Sequence, residues 1–203
     1  RKDLIVENVM VASQPVGTLW HILFKQDGSL KVNRDVFTKE FLIIDIGYGT
    51  TDIVVLSASM GIDDSQTRTF DIAMSDYVNA LYKSIEQEIP QSRLTQAGIT
   101  PYQLDQKLVN SDVLDIQTGV FDVKKIKRDM QLSFAEELKM RLDNFGYTID
   151  RYHEVILTGG GSATLYKAIK KVFNDNPKIR LADDPILANV KGFAIMAIQT
   201  FGD

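Results

Sequence analysis

The sequence predicts an α/β fold in which a mixed sheet carries helices on both faces. Short apolar runs alternate with longer amphipathic segments, and this is the pattern of a sheet layered with helices. Three predicted strands follow one another early in the chain, so one edge of the sheet should be antiparallel. Two apolar strands lead directly into glycine turns, which is where an α/β sheet usually carries its ligand site.

Composition excludes several other classes of protein. The 203 residues are 44% hydrophobic and 25% charged, enough for one large or two small domains. A net charge of −4 gives no reason to expect direct binding to nucleic acid or to a membrane surface. No apolar run approaches the roughly 20 residues that cross a bilayer. The absence of Cys rules out disulfides and is consistent with a reducing cytoplasm.

The predicted elements begin with a short strand over residues 8–12. A helix should follow from Gln14, since Pro15 suits a first turn and apolar residues recur at helical spacing to residue 25. A hairpin of buried strands is predicted over residues 41–46 and 53–56, and a third strand over residues 66–73.

The remaining elements follow from periodicity and from glycine or proline boundaries. Helices are predicted over residues 75–89, 100–109 and 124–145, the last with Gly146 as its C-terminal cap. Short strands are predicted over residues 113–116, 119–123, 154–157 and 179–181. A glycine turn at residues 158–162 precedes a helix over 163–173, and a closing helix runs over residues 185–200.

The stretch DIGYGTTD, residues 45–52, interrupts the first hairpin. Gly47 and Gly49 allow positive φ at the tip and let backbone N–H groups approach a ligand. A hydrated Mg²⁺ would be a suitable partner for Asp45 at the end of a buried strand, because Mg²⁺ keeps several waters and takes one or two carboxylates. A plain glycine-rich β-turn with exposed Asp and Thr is the alternative.

The stretch LTGGGS, residues 157–162, joins a strand to a helix. This arrangement aims helix N-terminal N–H groups at an anion or a polar ligand, and bare backbone admits a flat base or a sugar. Glycines that serve only packing in a tight turn are the alternative. Two such turns, each after an apolar strand, favour a ligand site over two plain turns.

Together the two turns resemble the nucleotide loops of the actin-like ATPase superfamily, which includes actins, DnaK-type chaperones and sugar kinases. DIGYGTTD is similar to the second phosphate loop, and LTGGGS to the adenosine loop. Asp184-Pro185 followed by Ala188 and Gly192 resembles the helix after the adenosine loop, where small residues permit close packing. NVMVASQPVG, residues 8–17, resembles the connecting segment that carries a hydrolytic Gln or Glu. The resemblance implies a ribonuclease H-like, actin-like ATPase fold.

The distance between the two loops indicates which members of the superfamily the chain resembles most. The interval from Asp52 to Gly159 leaves room only for a small inserted subdomain, placed at about residues 74–123, which suits ParM-type plasmid-segregation actins better than the DnaK type. No first phosphate loop precedes Arg1, so we expect the chain to be the C-terminal half of such a protein. Residues 1–40 and the closing helix at about 184–200 would end the first domain, and residues 41–183 would form the second.

The resemblance implies a role for each loop residue. Asp45 would bind Mg²⁺ through water, while Gly47, Gly49 and Thr50 would hold the β- and γ-phosphates of ATP. Tyr48 replaces the commoner glycine, so its ring should point away from the phosphates. Asp52 would lie near the attacking water.

Gln14 matches the hydrolytic position and would orient water, since a neutral amide is not a strong base. A helix-capping amide beside Pro15 is the alternative for Gln14.

The adenosine side would be formed by the second loop. Gly159, Gly160, Gly161 and Ser162 would contact adenosine, and Tyr166 could flank the base or lie on a half-buried helix face. The basic turn Lys124, Lys125, Lys127 and Arg128 could reach the ribose or base, or form a solvated helix face.

The implied function is ATP binding and hydrolysis by a cytoplasmic filament protein, with ATP and ADP as nucleotides. The chain alone should be inactive, because it would hold half of the site. Partners would be further copies of the protein and an adaptor that binds DNA in plasmid segregation. Two other functions stay open: a small-molecule kinase of the same fold, identified by sugar-dependent ADP production, and a nucleotide-binding scaffold without phosphate release.

Overall fold

The computed structural model describes residues 9–58 and 61–202. Within them the strands are β1 (Phe41–Ile46), β2 (Thr51–Leu56), β3 (Arg68–Phe70), β4 (Val113–Ile116), β5 (Gly119–Asp122), β6 (Glu154–Thr158) and β7 (Ile179–Leu181). The α-helices are α1 (Gln14–Leu23), α2 (Met74–Glu88), α3 (Pro101–Leu108), α4 (Lys124–Asn144), α5 (Gly160–Val172) and α6 (Ala188–Phe201). None of these helices is both long and apolar enough to cross a membrane.

Five strands form one mixed sheet in the order β3-β2-β1-β6-β7. The pairs β3–β2 and β2–β1 are antiparallel, and β1–β6 and β6–β7 are parallel. The three consecutive strands therefore make an antiparallel edge, as the sequence predicts. The carboxyl ends of β1 and β6 meet at one end of the sheet.

Both faces of the sheet are covered by helices, which confirms the predicted α/β architecture. On one face, alternate side chains of β1, β2 and β6 join α2, α4 and α5 in a large apolar cluster that includes Leu42, Ile44 and Leu157. On the other face, the intervening side chains pack with Leu19 and Leu23 of α1. Successive side chains of each strand thus contact opposite helical layers.

The helices α1 and α6 cross with their backbones in contact at two glycines. A Cβ atom added to Gly192 would lie 1.6 Å from the carbonyl oxygen of Gly17, and one added to Gly17 would lie 2.3 Å from that of Asn189. The close packing predicted from Ala188 and Gly192 is therefore confirmed. Ala188 is fully buried in the cluster on this face of the sheet.

The segment between α2 and α4 holds α3 and a separate two-stranded sheet, β4–β5. Thr100 caps α3, since its hydroxyl accepts from the Gln103 amide N–H while the Gln103 side chain accepts from the Thr100 amide N–H. Lys127 ties this segment to α4, because its ammonium donates to the carbonyl oxygens of Leu108 and Ser111 at 2.7 and 2.9 Å.

Four predicted elements need correction. No strand occurs at residues 9–12, and Asn8 lies outside the described residues. The third strand covers Arg68–Phe70 instead of residues 66–73, because Ala73 is already the N-cap of α2 and its N–H donates to Asp76. The helix α5 begins at Gly160, three residues before the predicted start, and α6 begins at Ala188 instead of residue 185.

Candidate functional site

Three polar residues stand side by side at the carboxyl end of the central strands. In the sheet register, Asp45 of β1 lies opposite Asp52 of β2 on one side and Thr158 of β6 on the other. Their parity places all three on the face covered by α1 and α6, at the end of an otherwise apolar surface. The sheet thus brings together residues from both glycine-containing motifs.

Asp45 is a buried carboxylate, 4% exposed, held by a single side-chain donor. The Asn189 Nδ2 donates to its Oδ2 at 2.7 Å. Burial raises the pKa of Asp45, the Asn189 hydrogen bond opposes this rise, and the negative charge of Asp52 adds to it. A buried carboxylate beside a second carboxylate is a place where a cation would relieve an unfavourable charge.

The other oxygen of Asp45 faces the second glycine turn. A Cβ added to Gly159 would lie 2.3 Å from Asp45 Oδ1 and 2.5 Å from the Ile46 carbonyl oxygen. Gly159 also has φ +84°, a conformation that side-chain-bearing residues rarely adopt. Only glycine fits here, because both the space and the backbone conformation exclude a side chain.

The hairpin tip between β1 and β2 is closed by a hydrogen bond from the Gly47 N–H to the Thr50 carbonyl oxygen at 2.9 Å. The carbonyl oxygens of Gly47 and Tyr48 accept from the N–H groups of Met74 and Ser75, which open α2. Within the described residues, the N–H groups of Tyr48, Gly49 and Thr50 donate to no acceptor. Three consecutive amide donors therefore stay available for a ligand at the exposed tip.

The expectation of positive φ at this tip is wrong. Neither Gly47 nor Gly49 adopts it. Gly47 instead allows a close contact in the turn, since a Cβ added there would lie 3.0 Å from the Thr50 carbonyl oxygen. A Cβ added to Gly49 would meet nothing within 4 Å. Tyr48 is 55% exposed, so its side chain lies in solvent.

The second motif divides into an accessible half and a packed half. Gly160 is exposed, and a Cβ there would meet nothing within 4 Å. Gly161 is buried, with its hypothetical Cβ 2.5 Å from Met74 Cγ. Ser162 is also fully buried, and its hydroxyl donates to the Thr158 carbonyl oxygen. Gly161 and Ser162 therefore shape the turn through packing, while Gly159 and Gly160 border its surface.

A cavity of about 610 Å³ lies between α4 and α5. Its lining includes Lys124, Arg128 and Gln131 of α4 and Thr164, Tyr166 and Lys167 of α5. The volume lies in the range of small-molecule sites. The structure thus brings Tyr166 and three residues of the basic turn, Lys124, Lys127 and Arg128, to one cavity.

The four basic residues of that turn have different environments. Lys124, Lys125 and Arg128 are exposed. The side chain of Lys127 is 12% exposed, and its ammonium is held by the carbonyl oxygens of Leu108 and Ser111 and by Asp112 at 3.2 Å. Lys127 therefore has a structural contact, which neither of its two sequence interpretations foresaw.

Gln14 is the first residue of α1 and is exposed. Its side chain forms no hydrogen bond with any residue that the structure describes, and the N-cap is Ser13, so the capping alternative receives no support. Gln14 precedes Thr18 by one helical turn, which places both on one side of α1.

Two polar side chains near Asp45, Thr18 and Asn189, were not identified from the sequence, and Thr158 was identified only as part of the second glycine turn. Thr18 Oγ1 lies 2.8 Å from Thr158 Oγ1 and donates to Asn189 Oδ1 at 2.7 Å. Thr18 and Asn189 lie 171 positions apart, so no local motif marks them. The only sequence signal for these residues was a threonine next to the small residues at which α1 and α6 cross.

Replacement of Asp45 by Asn should stabilise the full-length protein at neutral pH in EDTA without nucleotide. The pKa of folded Asp45 lies above its ordinary 3.8, so the group stabilises the fold below pH 3.8, and this stability is lost as pH rises through the folded pKa. A neutral isostere avoids that loss, so the variant should melt a few degrees higher at pH 7. The difference should vanish below pH 3.8. Equal or lower melting of the variant at pH 7 would contradict this account.

Known proteins resemble this chain in sequence family and in fold. Residues 43–171, more than half of the chain, match the family described as archaeal actin homologue MreB-like, C-terminal. No curated protein sequence matches the chain significantly.

Solved structures with a similar fold include actin homologues of bacteria and archaea. Bacillus thuringiensis ParM with ATP has a TM-score of 0.69 and 19% identity over 92% of this chain and 54% of its own. The archaeal actin homologue Ta0583 has a TM-score of 0.66 and 20% identity over 93% of this chain and 55% of its own. Apo pSK41 ParM has a TM-score of 0.67 and 20% identity over 93% and 49%. This chain thus spans about half the length of these proteins.

Proposed function

Because the chain belongs to the MreB-like C-terminal family of archaeal actin homologues, we propose that the complete protein binds and hydrolyses ATP and assembles into filaments. The observation that carries this proposal is the meeting of both glycine-containing motifs at Asp45, whose free oxygen faces Gly159. The prediction of the actin-like ATPase superfamily is confirmed by the family match. Hydrolysis, filament assembly and a role in DNA segregation are the proposed part.

The donor set at Asp45 fits Mg²⁺ that keeps most of its water shell. The described residues contain no group of three or more His, Cys, Asp or Glu side chains that could form an all-protein metal site. Asp45 and Asp52 instead offer a carboxylate pair in register, and Mg²⁺ commonly takes one or two carboxylates and retains waters. Asp45 would hold this ion through water, and the ion would neutralise charge on the phosphates of ATP.

The phosphates of ATP would lie at the hairpin tip. The N–H groups of Tyr48, Gly49 and Thr50, which donate to no acceptor in the described residues, would bind phosphate oxygens together with the Thr50 hydroxyl. Gly47 would contribute through its close backbone turn instead of its N–H, which is engaged with Thr50. Hydrogen bonds from α2 to the carbonyl oxygens of the tip would keep it rigid.

Adenosine would occupy the surface from Gly159 and Gly160 to the cavity between α4 and α5. Bare backbone at these glycines admits a flat ligand, and Tyr166 borders the cavity at a position suited to flank a base. Lys124 and Arg128 supply positive charge at its rim. Gly161 and Ser162 would hold the backbone shape of this surface, since both are buried.

The attacking water would lie between Gln14 and Asp52. Asp52 is partly exposed and accepts a hydrogen bond from Thr69 Oγ1 at 2.6 Å, which fixes its carboxylate beside Asp45. Gln14 has an exposed, unengaged amide one helical turn from Thr18, so it is free to orient water.

Gln14→Ala in the full-length protein should slow phosphate release about 10- to 100-fold and leave ATP affinity within about twofold. The side chain makes no contact that stabilises the described fold, so only the water-orienting role should be lost. Single-turnover phosphate release and fluorescent-ATP titration measure the two quantities. Gln103→Ala, which removes the capping amide of α3, serves as the control glutamine. Loss of ATP binding in Gln14→Ala would indicate a structural role instead.

The domain division is part of the same proposal. Residues 9–11 and α6 carry exposed apolar side chains, among them Val9 at 79% and Val11 at 93% exposure. A first domain packed against this surface would remove it from water, which supports placing the end of that domain in residues 1–40 and α6. Leu19 and Ala188 also join the core beneath the sheet, so the helix pair would contact both domains.

The partners proposed for the complete protein are further copies of itself in a filament and an adaptor that binds DNA, in the cytoplasm.

Titration of the full-length protein with a fluorescent ATP analogue tests the nucleotide site directly. Binding that requires Mg²⁺ and is displaced by both ATP and ADP would support the site. Absence of binding in Mg²⁺ would contradict it.

A further inference from the structure

We propose that Asn189 is a positioning residue that fixes the orientation of the Asp45 carboxylate, an inference that rests on the function proposed above. Asn189 is the second residue of α6 and lies outside both glycine-containing motifs. Its amide spans the space between Asp45 on β1 and Thr18 on α1. It therefore connects three elements that are distant in sequence.

The orientation of the Asn189 amide follows from its partners. The Thr18 backbone N–H lies 3.1 Å from Asn189 Oδ1 and can only donate, so this atom must be the amide oxygen. The Asn189 Nδ2 then faces Asp45 Oδ2 at 2.7 Å and must donate to it. The carboxylate is held by a donor whose own position is fixed from the other side.

The chain of hydrogen bonds continues with a defined direction. Because the Thr18 hydroxyl donates its single proton to Asn189 Oδ1, it can only accept from Thr158 Oγ1, which lies 2.8 Å away. The Pro185 carbonyl oxygen competes for the same Thr158 proton, but it is farther away, at 3.3 Å. Each donor along the path from Thr158 through Thr18 and Asn189 thus points toward Asp45. Thr18 and Thr158 are fully buried, so little water competes for these bonds.

This arrangement has two consequences for the site. The bond at Oδ2 leaves Oδ1 directed to the gap beside Gly159, where the hydrated cation is proposed. Thr18 lies one turn, about 6 Å along the axis, after Gln14, so α1 is linked to the same carboxylate. Asn189 thereby ties the metal-binding carboxylate to the helix that carries the proposed water-orienting residue.

The test compares wild-type and Asn189→Ala full-length protein by titration of a fluorescent ATP analogue at increasing Mg²⁺ and in EDTA. Without its donor, Asp45 loses a fixed orientation, so the Mg²⁺ concentration that gives half-maximal enhancement of binding should rise at least about tenfold. Nucleotide affinity in EDTA should stay within about twofold of wild type. This separation of the two readouts distinguishes positioning of a metal ligand from a general loss of the site.

Thr18→Val and Thr18→Ser keep the inference testable if Asn189→Ala fails to fold, as judged by circular dichroism. Thr18→Val removes the hydroxyl bonds to Asn189 and Thr158 but keeps the backbone bond to Asn189, and it should shift the Mg²⁺ midpoint in the same direction. Thr18→Ser keeps the hydroxyl and should restore the midpoint. Asn176→Ala is the matched control, since Asn176 also donates from its amide to an aspartate, Asp150, but on the surface at 3.1 Å. Its Mg²⁺ midpoint should be unchanged.

Three results would overturn the inference. An unchanged Mg²⁺ midpoint in folded Asn189→Ala would show that Asp45 needs no orienting donor. An equal loss of nucleotide binding in EDTA and in Mg²⁺ would assign Asn189 a structural role. Failure of the wild type to bind nucleotide in Mg²⁺ would overturn the proposed function itself and this inference with it.

Discussion

Asp45→Asn in the full-length protein should reduce Mg-dependent ATP turnover by at least about 100-fold. Asn has the shape of Asp and can still accept from Asn189, so the packing around the strand end should persist. It lacks the charge that attracts a hydrated cation, and that charge is costly to maintain in a buried position. The same substitution should therefore raise stability without ligand and remove activity, because the buried charge serves function at the expense of stability. Steady-state phosphate release at saturating Mg-ATP measures the loss.

Asp35→Asn is the control for that substitution. Asp35 lies in the 3₁₀ helix Arg34–Thr38, next to the opposite end of β1, and pairs with Lys39 at 2.9 Å with 58% of its side chain exposed. Exposed pairs of this kind contribute little to stability, so the turnover of Asp35→Asn should match that of the wild type. Turnover of Asp45→Asn within about threefold of wild type would contradict a metal-binding role for Asp45.

Gly192→Ala should destabilise the protein by about 3 kcal/mol, although alanine is the better helix former. The new Cβ would lie 1.6 Å from the Gly17 carbonyl oxygen, and that neighbour is backbone, which cannot rotate away. The helices α1 and α6 would have to separate, and Asn189, one turn before Gly192 on α6, would move away from Thr18 and Asp45. Urea unfolding of the full-length protein measures the change in the free energy of unfolding.

Gly160→Ala is the matched helical glycine. It lies in the first turn of α5, where a Cβ meets nothing within 4 Å and φ is not positive. Its stability should change by no more than about 1 kcal/mol, and in the stabilising direction. The opposite signs expected at the two positions separate helix propensity from the close helix crossing. Equal stability changes in both variants would contradict the crossing.

The central fold was predictable because its signals are local. The hairpin β1–β2 combines two strands that are apolar except near the turn with a short polar tip, and α4 has a clear apolar stripe. The error at the end of the third strand came in part from a contact between residues 21 positions apart, which no short window contains. The third strand stops at Phe70 because the backbone after it forms other hydrogen bonds. The Ile72 carbonyl oxygen accepts from the Thr51 hydroxyl, and the Ala73 N–H donates to Asp76.

The early start of α5 and the missing strand at residues 9–12 have separate causes. Gly160 and Gly161 have low helix propensity, yet Gly161 is fixed by packing on Met74 and Ile46, so tertiary contacts overcome the propensity. Val9 and Val11 alternate like a strand but stay exposed, with no neighbouring strand among the described residues.

The candidate site was predictable only where it lies in a short motif. Asp45, Asp52 and the glycines of both turns were identified because each group is contiguous in sequence. Thr18 and Asn189 were missed because their importance depends on the crossing of α1 and α6, which joins residues far apart in the chain. The roles of Gln14, Asp52 and the loop residues remain predictions that the variants above test.

The most direct test of the central claim is sedimentation of the full-length protein with Mg-ATP, with Mg-ADP and without nucleotide, while phosphate release is followed in the same samples. We predict that the protein pellets with Mg-ATP and releases phosphate, that it pellets less with Mg-ADP, and that Asp45→Asn stays in the supernatant without releasing phosphate. Phosphate release without pelleting would indicate a kinase or a chaperone-like ATPase of the same fold. A wild-type protein that neither pellets nor releases phosphate in Mg-ATP would contradict an ATP-hydrolysing filament protein.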